Sequence, residues 1–122
     1  MPETSTPGCA LVERFFASAR SLDDYVSFFA EDAVFRFANY PPVAGRDGIR
    51  AAAERMRQRV QRVAHKMIGM WEQDNVVVCE MEVTYTRLDG KEVSVPCCDT
   101  FRLSGDHLQE MRVYVDVTPV FS

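Results

Sequence analysis

The chain predicts an α+β fold: three helices with one short strand among them, then a strongly bent antiparallel meander. Three observations lead there. Apolar residues recur at helical spacing through residues 9–30 and 48–61, and at a spacing of two through residues 63–117. The turn sequences Gln73-Asp74-Asn75, Asp89-Gly90 and Ser104-Gly105-Asp106 cut the second half into hairpin-sized pieces. The length of 122 residues, with 47% hydrophobic and 26% charged side chains, suits one globular domain. A chain of this size can bury roughly two-thirds of its unfolded surface, enough for a core and an internal cavity.

Residues 1–8 are polar, with two prolines and a glycine, and read as a loose tail; residues 9–122 read as a single domain. The first helix carries Leu11, Val12, Phe15, Phe16 and Ala19 on its apolar side and ends near Arg20. Ser21 is placed to cap the second helix. Asp23 and Asp24 in its first turn meet the positive helix end, and Tyr25, Val26, Phe28 and Phe29 supply its buried side to about Ala30. Residues 33–37 begin a strand with Phe35 and Phe37 on one face. The prolines at 41 and 42 make residues 39–45 a loop. Asp47 is placed to cap a third helix from Gly48 to about Gln61, with Ile49, Ala52, Ala53, Met56 and Val60 as its stripe.

Strands then follow at residues 63–71 and 76–87, with a fourth after Asp89-Gly90 and a fifth at residues 108–117. On the third strand Val77, Cys79, Met81, Val83 and Tyr85 face inward, while Glu80, Glu82, Thr84 and Thr86 face out. That alternation marks an antiparallel sheet with one dry face.

Charge and cysteine usage narrow the function classes. A net charge of −4 leaves no polyanion footprint, so nucleic acid is not an expected partner. The five arginines of the third helix, Arg50, Arg55, Arg57, Arg59 and Arg62, diverge around the cylinder and read as a solvated face rather than an anion site. No apolar run approaches the ~20 residues of a membrane span, and no secretory leader pattern opens the chain, so the expected location is the cytoplasm. Cys9, Cys79, Cys97 and Cys98 have no spacing that suits zinc. They read as reduced, mostly buried thiols, and no metal or other cofactor is called for.

Acids and aromatics remain as the chemical candidates. Asp99 shares a strand face with Val93, Val95, Cys97, Phe101 and Leu103. Desolvation on such a face raises a carboxyl pKa towards neutrality, which suits proton transfer; the alternative is a structural acid satisfied by a local donor. Asp116 lies beyond the apolar row Met111, Val113, Val115 and Val117; a bulge would turn it inward, otherwise it is exposed. His65 aligns with Val63, Met67 and Trp71 and is either a base or a hydrogen-bonded core residue. Phe15, Phe35, Phe37, Met67, Trp71, Met81, Tyr85, Phe101 and Tyr114 form either a pocket wall or plain core, and Tyr40, in the proline-rich loop, either lines the mouth of a pocket or packs on the third helix.

The segments FFAEDAVFRF, PPVAGRDGIRAA and DTFRLSGDHLQEMRVYVD, in that order over most of residues 10–118, resemble the nuclear-transport-factor-2-like superfamily and its SnoaL-like branch. The resemblance implies a cone, with three N-terminal helices in the concave face of a curled, mainly antiparallel sheet around a pocket open at one end. It also implies a homodimer through the sheet. Relatives include polyketide cyclases, ketosteroid isomerases, limonene-epoxide hydrolases and modules without chemistry, so the fold leaves the function open.

By that resemblance Asp99 stands where the isomerases hold a protonated acid. Phe15 and Phe37 stand where the same enzymes hold a tyrosine and a carboxylate base, which argues against a steroid isomerase of that design. Asp116 matches the last acid of the epoxide hydrolases, but Glu80 and Glu82 replace their Arg and Asp. The resulting expectation is a small-molecule-pocket protein. Its chemistry would be cofactor-independent acid/base catalysis at Asp99, aided by His65 or Asp116, on a small apolar molecule. A non-catalytic binding or interaction module is the alternative.

Overall fold

A computed structural model describes residues 6–18 and 21–121. The elements are α1 (Pro7–Ser18), α2 (Leu22–Ser27), β1 (Phe29–Phe37), β2 (Val43–Ala44), α3 (Gly45–Arg59), β3 (Val60–Gln73), β4 (Val76–Arg87), β5 (Glu92–Ser104), β6 (His107–Val115) and α4 (Thr118–Phe121). The six strands form one sheet in the order β2-β1-β6-β5-β4-β3. Every pairing is antiparallel except β1 with β6. The expected α+β architecture is thus present, with a curved, unclosed sheet and helices on its inner face.

The long strands form because their alternation serves one dry face. Val77, Cys79, Met81, Val83 and Tyr85 of β4 are all buried, and Glu80 and Glu82 between them are exposed. The connecting turns have left-handed residues where the sequence allows them, Asp74 and Asn75 in one and Gly90 in the next. Phe15 is the hub of the core. Its ring lies 5.2–5.9 Å from those of Phe16, Tyr25, Phe28, Phe29 and Phe101, mostly edge to face.

α1 is docked by a clasp from across the sheet. The Glu72 carboxylate on β3 accepts from the Thr6 hydroxyl, from Gly8 N at 3.0 Å and from Cys9 N at 3.3 Å. These are donors that the helix start would otherwise leave unpaired. A Cβ on Gly8 would sit 2.5 Å from that carboxylate, so a side chain there would push the Glu72 tip out of the clasp.

Several boundaries depart from the sequence expectation. Residues 1–5 of the expected tail lie outside the described residues, and Pro7 and Gly8 already belong to α1. The expected end of that helix at Ala19 and Arg20 also lies outside them. α2 stops at Ser27 because Phe28 caps it and its carbonyl accepts from Leu108 N at 2.8 Å, which draws Phe29 into the sheet. Val43 and Ala44, expected in a loop, pair with Phe35 and Val34. α3 starts at Gly45, so Asp47 lies in its first turn instead of capping it, and Val60 has already passed into β3. β6 ends at Val115, and the short α4 follows, opened by Thr118-Pro119.

One irregularity changes the reading of a candidate row. The β3–β4 register shifts between Met67 and Gly69. Met67 still opposes inward Met81, but beyond the bulge Met70 opposes Cys79 and Trp71 opposes Val78. Trp71 therefore does not share a face with Val63, His65 and Met67. It lies on the outer face, 57% exposed, with its ring over Gly69 so closely that a Cβ there would come within 2.5 Å.

Candidate functional site

β5 places Asp99 on the inner face, where it is 2% exposed. Its cross-strand partners are Cys79 on β4 and Val113 on β6, both buried. Cys97, two residues earlier on the same face, donates its thiol to Asp99 Oδ1 at 3.4 Å. Desolvation raises the Asp99 pKa from 3.8 to about 7, and the thiol hydrogen bond pulls weakly the other way. The carboxyl therefore holds its proton into the neutral range.

Two buried phenols feel the charge of this acid. Tyr25 of α2 packs its ring 5.2 Å from Phe15 and 5.3 Å from Phe29. Its pKa is driven up first by burial and then by the charge of Asp99, against a smaller opposing effect of Arg57. Tyr85 of β4 is also driven up, by burial first, with Cys97 and Asp99 adding to it. The Cys79 thiol is pushed up to about 12 by burial, then by Asp99, Cys9 and Cys98, so it stays protonated and inert at neutral pH. Phe15, Met81 and Phe101 are buried in the same interior. The inner face therefore holds one neutral acid, with protonated phenols on α2 and further along β4, in an aromatic and thiol setting. This arrangement can give a proton or a hydrogen bond to a buried oxygen or nitrogen.

Asp99 and His65 are not brought together. His65 opposes Val83 and Asp99 opposes Cys79, four residues apart on β4, which is about 13 Å along that strand. The imidazole lies on the exposed edge strand with its ring 5.1 Å from Phe16. Crowding by apolar neighbours alone lowers its pKa, so it is neutral at pH 7.

Asp116 is exposed beyond the end of β6, and no bulge turns it inward. Its Oδ1 accepts from Thr118 N at 3.0 Å at the start of α4. That bond, with one from the Thr118 side chain, holds its carboxyl below the usual range.

The aromatic candidates divide into three groups. Phe15, Phe35, Met81, Tyr85 and Phe101 are interior. Phe37, Tyr40 and Met67 are at the rim. Tyr40 stacks on Phe37 with ring centres 6.1 Å apart, and its hydroxyl accepts from Arg59 at 3.2 Å. Trp71 and Tyr114 are on the outside, Tyr114 because it opposes Cys98 and not Asp99. Tyr25 was the residue that sequence reasoning missed as a neighbour of the acid. It reads as one more apolar position of α2, and only the docking of α2 on the sheet brings it to Asp99.

Two surface depressions of about 190 and 270 Å³ flank α4. One is lined by Tyr40, Val117, Thr118 and Phe121, the other by Arg59, Arg87, Leu88, Asp89, Val120 and Phe121. Neither is lined by Asp99. Phe121 is held between them by the Arg59 guanidinium, 3.8 Å from its ring centre. Among the described residues no cluster of His, Cys, Asp and Glu suits a metal ion, and no helix is long and apolar enough to cross a membrane.

Comparison with known proteins follows the same lines. The family model of the SnoaL-like domain matches residues 12–111. An NTF2-like protein of unknown function from Burkholderia pseudomallei superposes with a TM-score of 0.87 at 11% identity over 95% of each chain. TerC, co-crystallised with polyporic acid, gives 0.85 at 14% identity over 94% of this chain and 95% of its own. A candidate SnoaL-like polyketide cyclase from Jannaschia gives 0.82 at 19% identity over 98% and 94%. No curated protein sequence matches.

Proposed function

Because the chain belongs to the SnoaL-like domain family, whose model spans residues 12–111, we propose that it binds a small apolar organic molecule and acts on it by cofactor-independent acid/base catalysis. Asp99 is the proton donor. The observation that carries this reading is a carboxyl 2% exposed, with a pKa near 7, on the buried face of the sheet. A pKa near the working pH lets the group both give and regain a proton. The reaction class is that of an isomerase, cyclase or hydrolase, with the phenol of Tyr25 as a further donor to charge developing on the substrate. His65 and Asp116 lie too far from Asp99 to share its proton. TerC with polyporic acid is consistent with a fold that takes organic ligands. The working location proposed is the cytoplasm and the working assembly a homodimer.

One observation favours a second reading, a binding or interaction module without chemistry. The interior around Asp99 is packed, and the depressions lie at the α4 end. Deuterium incorporation from D2O into a panel of small apolar ketones, followed by NMR, separates the two. The enzyme reading expects exchange above background, reduced roughly 10²–10⁴-fold in Asp99→Asn. Ligand-induced shifts with no exchange for any ketone would favour the module.

A further inference from the structure

The interior holds a buried nucleophilic side chain that the proposed chemistry has not used, the Cys97 thiol. Its Sγ lies 3.4 Å from Asp99 Oδ1, and both residues are buried. The titratable groups that feel the carboxyl come from several elements: Tyr25 from α2, Cys79 beside it and Tyr85 further along β4, and Cys98 on the other face of β5, while the apolar Val113 of β6 packs opposite it. Arg57 of α3 acts on Tyr25. Among the described residues the Cys97 thiol is the side-chain donor that reaches Asp99.

A protonated carboxyl has one hydroxyl oxygen and one carbonyl oxygen. An oxygen that already accepts a hydrogen bond serves as the carbonyl, so the proton belongs on the other one. We propose that Cys97 is a positioning residue for Asp99, whose thiol occupies Oδ1 and thereby places the transferable proton on Oδ2. This rests on the proposed catalytic reading of Asp99. In the step, the Oδ2–H bond breaks, the proton passes to a basic atom of the substrate, and the carboxylate left behind keeps the thiol donor on Oδ1. The proton returns to Oδ2 from the product or from water.

The choice of sulfur has a physical reason. An S–H group is a weak donor. It orients the carboxyl without stabilising the anion enough to bring it to its ordinary acidity. A hydroxyl at the same position would orient the group and also favour the carboxylate. A methyl would do neither.

The test is a ¹³C NMR titration of the Asp99 carboxyl in wild type, Cys97→Ser and Cys97→Ala, with Cys79→Ala as a control for lost packing beside the same acid. Cys97→Ser is expected to lower the Asp99 midpoint by about one pH unit and Cys97→Ala to raise it. Cys79→Ala should move it less than either. The pH profile of deuterium exchange should follow the same midpoints. In wild type, which needs no variant to fold, the infrared S–H band should shift as Asp99 ionises, because the bond to a carboxylate is the stronger one. An unmoved Asp99 midpoint in both Cys97 variants, or an S–H band insensitive to pH through the titration, overturns the role of Cys97 and leaves Asp99 as the acid untouched. Absence of exchange in wild type, with the titration shifts present, sinks the catalytic reading instead.

Discussion

Replacing Asp99 with Asn should change how stability depends on pH, and the structure sets both the size and the sign. The folded carboxyl holds its proton to about pH 7, whereas an unfolded aspartate releases it near 3.8. Between those values unfolding releases a proton, so rising pH favours the unfolded chain. The stability from this group is full below pH 3.8, declines through the window up to about 7, and is flat beyond. At ~1.4 kcal/mol per pH unit the decline amounts to roughly 4 kcal/mol. Asparagine keeps the shape and an oxygen for the Cys97 thiol but does not titrate, so the other ionisable groups cancel in the comparison. The measurement is urea unfolding of both proteins by circular dichroism at steps from pH 3.5 to 8.5. The stability of wild type minus that of Asp99→Asn should fall across the window by that amount, making the variant relatively more stable at neutral pH. A difference that stays constant from pH 4 to 7 would show that the acid ionises as freely folded as unfolded. The proton-donor role would go with it.

Other perturbations test the scaffold. Glu72→Ala removes the acceptor for three donors at the start of α1 and should cost about 1–2 kcal/mol in urea unfolding; an unchanged midpoint would mean the clasp is idle. Phe15→Ala empties the centre of five ring contacts and should cost ~3–5 kcal/mol, read by the shift in thermal midpoint. Arg59→Ala strips Phe121 and Tyr40 of a shared partner, so amide hydrogen exchange in α4 should accelerate severalfold while global stability drops by no more than about 1 kcal/mol. The outer face carrying Glu82, Thr84, Ser94, Thr100 and Arg102 is proposed as the homodimer surface. Thr86, expected on it, is buried within one chain. Sedimentation at micromolar concentration should give a dimer with an interface of roughly 1,200 Å² or more; a monomer profile refutes it.

Much of this was legible because alternation and turn chemistry are local. The dry face of β4 and the odd acid of β5 could be read residue by residue, since a period of two needs no partner to be visible. The bulge before Gly69 could not be read the same way. One extra residue flips every later side chain, and it turned Trp71 outward while Met70 took the inward place. An isolated glycine in a strand is the usual sign of such a site, and Gly69 was that sign. Asp116 stays open between an inward bulge and exposure in the sequence alone; exposure results because the strand ends one residue before it and the Thr118 N–H of α4 takes its carboxylate. The approach of Tyr25 and Cys97 to Asp99 is of two kinds. Cys97 is a same-face neighbour at two residues and was open to inspection. Tyr25 arrives through the docking of a helix and has no local signature at all.

The parallel pairing of β1 with β6 bears on how the chain is made. Phe35 and Met111 are register partners at positions 35 and 111. At ~5–20 residues per second, a ribosome needs roughly 4–15 s to travel from one to the other. Through that interval β1 has only the two residues of β2 to pair with, and its other edge is an unpaired row ending in Phe35-Arg36-Phe37. The antiparallel strands β3, β4 and β5 can close on one another as they emerge, but the sheet stays divided until β6 leaves the tunnel. A premature stop after β5 and before residue 107 would therefore release two half-sheets with open facing edges, a product suited to aggregation or to a chaperone.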